Sequence, residues 1–162
     1  MITAPIAIPR IYLKPGELYF TVNPSIVSTV LGSCISITMY NAEHHTSAIC
    51  HALLPEEIIP GDPYRYVDSS ITAMLRQFNR HSISREEIQI KLFGGSDILP
   101  PGTNEYRTMT VGQQNILRAR QCIKQEGLNL IASDVGGTSG RKILFHTHSG
   151  EVYLQRLRSI KR

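Results

Sequence analysis

The sequence predicts an α/β fold, a single-domain layered sandwich of mixed β-strands with two main helices. Three observations carry that expectation. Short apolar runs recur along the chain between Pro, Gly and Asn punctuation, several with period-two alternation. Two longer stretches place apolar residues at helical spacing. The 162 residues, 41% of them hydrophobic, suffice for one sizeable core, so residues 1–162 are expected to form one domain.

Taken in order, Pro15-Gly16 and Asn23-Pro24 punctuate strands near 10–14 and 17–22. Residues 26–40 are β-rich and interrupted by Gly32. From there Ile35, Ile37 and Met39 point toward a core, while Cys34, Ser36, Thr38 and Tyr40 form an opposite, polar face that carries a thiol. A polar turn over 41–46 leads to a second apolar run over 47–54, and the two runs resemble a hairpin. Pro60-Gly61-Asp62-Pro63 marks a loop. Val67, Ile71, Met74, Leu75 and Phe78 define an amphipathic helix over 66–80, and a strand follows over 88–93. The segment 99–109, rich in Pro, Gly, Thr and Asn, is expected on the surface as a loop. Thr110 is positioned to cap a helix over 111–126 that stops at Gly127. Strands are expected at 128–133, 142–147 and 151–157, the last two joined at Ser149-Gly150.

Composition narrows the function. A net charge of +4 suits an acidic protein surface as partner but is too small to require nucleic acid. The basic end, Arg156, Arg158, Lys161 and Arg162, reads as a solvated tail or a patch facing a protein partner. No apolar run approaches the roughly 20 residues that span a bilayer, and Pro5 and Pro9 without a basic leader do not make a secretion signal. A soluble, cytoplasmic protein without membrane insertion is expected. Cys34, Cys50 and Cys122 lack CxxC spacing and suit a reducing compartment.

A cysteine becomes a nucleophile when a neighbour draws off its proton, and histidine is the usual neighbour. If the runs around 26–40 and 47–54 pair, one register sets Cys34 opposite Leu53 and His51 opposite Ser36, so that thiol and imidazole share a face. A slip of one residue separates them. Gly32 and Ser33 before the thiol leave room for a substrate carbonyl to approach backbone N–H groups. Elsewhere, His146 and His148 are two apart on an expected strand and share a face, but no third metal ligand accompanies them. His44 and His45 fall in the hairpin turn as solvated side chains. The stretch 136–142 lacks the spacing of a phosphate loop and reads as a tight turn between two strands.

Five motifs then occur in order: Val30-Leu31-Gly32-Ser33-Cys34-Ile35-Ser36, Ile49-Cys50-His51-Ala52-Leu53-Leu54-Pro55, Lys91-Leu92-Phe93-Gly94-Gly95, Val111-Gly112-Gln113-Gln114-Asn115 and Asp134-Val135-Gly136-Gly137-Thr138-Ser139-Gly140-Arg141-Lys142. Together, over about Tyr12 to Leu157, they resemble the CheD family, the chemoreceptor glutamine deamidases. The resemblance implies a cofactor-free thiol hydrolase with Cys34 as nucleophile and His51 as base. Its substrate is a glutamine side chain on the cytoplasmic helices of a chemoreceptor, and its second partner in some members is a CheC-type phosphatase. The family's third residue, a threonine six positions before the cysteine, corresponds to Ser28, with Thr29 beside it; the choice between these hydroxyls stays open. Cys50 stands where the family commonly has an apolar residue and is expected in the core. A transglutaminase-like acyl transfer and a non-catalytic adaptor of the phosphatase are the rival readings.

Overall fold

In a computed structural model, which describes residues 4, 6–98 and 109–158, the chain forms nine strands and two helices in three layers. The strands are β1 (Arg10–Tyr12), β2 (Leu18–Thr21), β3 (Ile26–Leu31), β4 (Ile35–Asn41), β5 (Thr46–Cys50), β6 (Gln89–Gly94), β7 (Asn129–Val135), β8 (Arg141–His146) and β9 (Val152–Arg156). The helices are α1 (Val67–Arg80) and α2 (Val111–Gln125). The mixed α/β sandwich with two helices is as expected. The expected loop over 99–109 lies outside the described residues except for Met109.

Five strands pair in the order β2-β5-β4-β6-β7, and four in the order β1-β3-β8-β9. The apolar stripe of α1, Val67, Ile71, Met74, Leu75 and Phe78, packs on the five-stranded sheet with Ala119, Cys122 and Ile123 of α2, against Ile35, Ile37, Met39, Ile90 and Leu92. A second cluster fills the gap between the sheets: Val27 and Leu31 of β3, Ile143 and Phe145 of β8, and Ile49 and Phe93 from the facing sheet. Helix α2 begins with a capping box, in which the Thr110 hydroxyl accepts from Gln113 N–H and the Gln113 side chain accepts from Thr110 N–H.

One expectation is corrected here. The run 26–40 is not one arm of a hairpin: β3 joins the four-stranded sheet, the chain crosses over residues 32–34, and only β4 pairs with β5. The polar face of β4 is buried as well. Ser36 and Thr38 are buried between the sheets as fully as Ile35 and Ile37 are beneath the helices. Alternation reports that a strand has two environments, not that one of them is water. The turn over 136–140 also bridges the layers, since β7 and β8 belong to different sheets.

Candidate active site

The crossing segment Gly32-Ser33-Cys34 is held by its carbonyls. Gly32 C=O accepts from Ser96 N–H (2.9 Å), Ser33 C=O from the Asn115 side-chain amide (3.0 Å), and Cys34 C=O from Gly95 N–H (2.9 Å). Such close backbone approach requires glycine on the facing segment. A Cβ at Gly94, whose φ is 104°, would lie 2.3 Å from the Cys34 oxygen, and one at Gly112 would lie 2.5 Å from the Gly95 oxygen.

The β4–β5 register is Thr38 to Ile49 and Met39 to Ala48, continued by a bridge from Ile35 to Ala52. Extended one step each way, it sets Ser36 across from His51 and Cys34 across from Leu53. The thiol and the imidazole therefore lie on the face turned toward the four-stranded sheet, as diagonal neighbours. Cys34 is partly buried against the inter-sheet cluster. His51 is 2% exposed.

The imidazole is oriented from the other sheet. Thr29 on β3 places its hydroxyl 2.7 Å from His51 Nδ1 and donates to Leu13 C=O at 2.8 Å. With that O–H spent on the carbonyl, the threonine oxygen is left to accept, which fixes the proton on Nδ1 and leaves Nε2 as a lone-pair base. His51 Nε2 is buried and has no hydrogen-bond partner among the described residues. The hydroxyl on His51 is thus that of Thr29, not Ser28: successive strand residues face opposite ways, and it is the Thr29 face of β3 that looks into the gap between the sheets.

Burial sets the protonation of both groups. It pushes the Cys34 thiol above its ordinary value, an effect that a backbone N–H at Cys34 offsets only in part. It pulls His51 down to about 4. Both groups are therefore neutral in the resting site, a state that suits general-base chemistry rather than a preformed ion pair.

Asn115, fully buried on α2, was legible only as part of a motif. Its Nδ2 donates to Ser33 C=O and Leu53 C=O, both at 3.0 Å, and its Oδ1 has no partner among the described residues. The available signal was a polar residue on the stripe Gly112, Asn115, Ala119, Cys122 that α2 turns inward. Behind the segment, Arg141, 4% exposed, donates to Asp134, Ser96 Oγ (2.6 Å) and Gly136 C=O (2.8 Å). Hydrogen bonds from Arg156 and from Arg141 hold the Asp134 carboxyl below the usual carboxylate range.

The remaining histidines go elsewhere. Strand β8 ends at His146, whose ring meets Tyr153 edge-on, whereas His148 lies in the following turn and stacks on His45 with centroids 4.1 Å apart. His146 and His148 therefore do not share a face as a ligand pair, and His45, exposed in the turn, also contacts Tyr40 Oη. Cys50 lies wholly in the helix-side core, its thiol pushed up to about 12 by burial. Among the described residues no helix is long and apolar enough to cross a membrane.

A family model described as CheD chemotactic sensory transduction matches residues 53–156, a span that begins just after His51. The chain is 52% identical over 150 residues to a protein of Geobacter sulfurreducens named "Probable chemoreceptor glutamine deamidase CheD 2", covering 93% of this chain and 91% of that one. It is 37% identical over 158 residues to a Maridesulfovibrio salexigens protein named "Probable chemoreceptor glutamine deamidase CheD", with 91% and 92% covered. A Sulfurimonas denitrificans protein of the same name is 34% identical over 146 residues, with 89% and 92% covered.

Proposed function

The chain belongs to the CheD family, and from that premise we propose that it is a chemoreceptor glutamine deamidase that uses Cys34 as nucleophile and His51 as base. The observation that carries the chemistry is the imidazole: Thr29 holds Nδ1, and Nε2 is left free on the face that also bears Cys34.

On this reading the Cys34 thiol gives its proton to His51 Nε2 as sulfur attacks the Cδ of a glutamine side chain. The oxyanion of the tetrahedral intermediate is held by backbone N–H groups around Cys34. The His51 imidazolium returns the proton to the departing nitrogen, so ammonia leaves and a thioester remains. Water, deprotonated by the same Nε2, attacks the thioester; the thiol recovers its proton and the side chain departs as glutamate. The net change is one water consumed and one ammonia released. Cofactors are not needed at any step. The substrate is a glutamine on a chemoreceptor cytoplasmic helix, which fits a cytoplasmic protein; a CheC-type phosphatase, the second partner of some family members, is the candidate second partner.

Incubation with a chemoreceptor cytoplasmic fragment, followed by mass spectrometric mapping of glutamine-to-glutamate conversion, tests the reading. Conversion by the wild type and none by Cys34→Ala or His51→Ala is expected. No conversion by the wild type on any cognate receptor sinks the activity; equal conversion by Cys34→Ala sinks the site. Cross-linked product in place of glutamate would mark the transglutaminase-like acyl transfer instead.

A further inference from the structure

The β4–β5 ladder opens at the nucleophile. Ile35 and Ala52 exchange both backbone hydrogen bonds, at 3.0 and 2.9 Å. One rung on, the strands part: Leu53 N–H and Leu54 N–H both turn to Arg65 C=O, and Leu54 C=O accepts from Val67 N–H. In an antiparallel pair the next hydrogen-bonded rung after Ile35 and Ala52 would join Ser33 to Leu54. In its place the Asn115 amide enters from α2, one nitrogen donating to Ser33 C=O and to Leu53 C=O. Because both partners are acceptors, the orientation of that amide is fixed, with nitrogen toward the carbonyls.

We propose that Asn115 is a positioning residue for the deamidation, a wedge that sets the spacing of the Cys34 and His51 segments and aims the Cys34 N–H at the oxyanion. The inference rests on the deamidase reading for its chemistry and on the hydrogen bonds for its geometry. A trans peptide points its C=O and the following N–H in opposite directions. Gripping Ser33 C=O from α2 therefore turns Cys34 N–H away from Asn115. The second hydrogen bond, to Leu53, acts on the residue directly across from Cys34 and two after His51, so one side chain holds both arms.

The cost of this arrangement argues for a role beyond packing. Asn115 Oδ1 is buried without a partner among the described residues, a defect worth about 1–3 kcal/mol that an apolar side chain of similar volume would avoid. Such defects gather here. Of the four buried side-chain polar atoms without a partner among the described residues, three, Ser36 Oγ, His51 Nε2 and Asn115 Oδ1, belong to the immediate surroundings of Cys34.

Asn115→Asp and Asn115→Leu test the proposal, with Ile71→Ala in the helix-side core as a variant that loses stability without touching the wedge. Expected is a fall in kcat of about 10- to 100-fold for both Asn115 variants at temperatures where they are folded, with KM for the receptor fragment within about threefold. The rate of Cys34 alkylation by iodoacetamide, mapped by mass spectrometry, should fall by at least about fivefold, because His51 no longer meets the thiol in register. Ile71→Ala should change neither. Unchanged kcat and unchanged alkylation in the Asn115 variants, or losses that merely track the unfolded fraction, overturn the proposal. If the wild type deamidates nothing, the deamidase reading fails and the alkylation rates alone decide the fate of the wedge.

Discussion

At Cys34 the surroundings oppose a resting thiolate. Burial raises the Cys34 thiol and lowers His51 to about 4, so both directions favour the uncharged pair. The sign of the pH dependence follows. His51 is a competent base wherever it is neutral, and the acid limb of kcat/KM should lie near pH 4 instead of near the ordinary histidine value of about 6.5. Iodoacetamide alkylation of Cys34 should keep climbing with pH through the usual cysteine range, without the low-pH plateau of a thiolate–imidazolium pair. An acid limb between pH 6 and 7, or such a plateau, would contradict this account. The third residue is equally open to test. Thr29→Val removes the hydroxyl from His51 Nδ1 and should cut kcat by up to about 100-fold, since the ring is free to turn; Ser28→Ala should stay within about twofold. That Cys34 and His51 share a face was one of two registers open to the sequence, and the pairing of Ile35 with Ala52 selects it. The Ser28 or Thr29 choice was not legible, because it depends on which face of β3 looks inward, and β3 belongs to a different sheet from His51.

Among the elements, β6 and α2 act as the bed on which the Cys34 segment lies. Gly94 ends β6 at φ 104°, with no room for a Cβ beside the Cys34 oxygen. Gly94→Ala should therefore cost about 1–3 kcal/mol in backbone strain alone and reduce activity through the displaced Cys34 carbonyl, measured by urea unfolding and kcat on the same preparation. Wild-type stability in that variant would mean that the segment is not pinned as described. The elements themselves were largely legible. Val67, Ile71, Met74, Leu75 and Phe78 repeat at helical spacing, and Thr110 with Gln113 spells the cap of α2, because both signals are local. What local signals lack is the identity of a strand's partner. Residues 26–40 read as one run since Gly32 marks a break without saying that the chain changes sheets there, and Ser36 and Thr38 mimic a solvent face because small polar side chains also fit between layers.

For the whole molecule, the consequence is a site assembled across the gap between two sheets. Thr29 comes from the four-stranded sheet, while His51 and Leu53 follow β5 of the five-stranded one, and Cys34 sits where the chain passes from one to the other. The inter-sheet core should then tune catalysis as well as stability, whereas the helix-side core should affect stability alone. Ile143 pairs directly with Thr29 and is fully buried between the sheets; Ile71 is buried to the same degree beneath α1. Truncation of either to alanine removes the same atoms and should cost about 2–5 kcal/mol. Only Ile143→Ala lets the Thr29 strand settle toward the facing sheet, and a shift of a fraction of an ångström there is passed to His51 through a 2.7 Å hydrogen bond. At a temperature where both variants are folded, Ile143→Ala should lose about tenfold in kcat and Ile71→Ala should retain the wild-type value. Equal losses in the two variants would mean that the site answers to overall stability and not to the register of the two sheets.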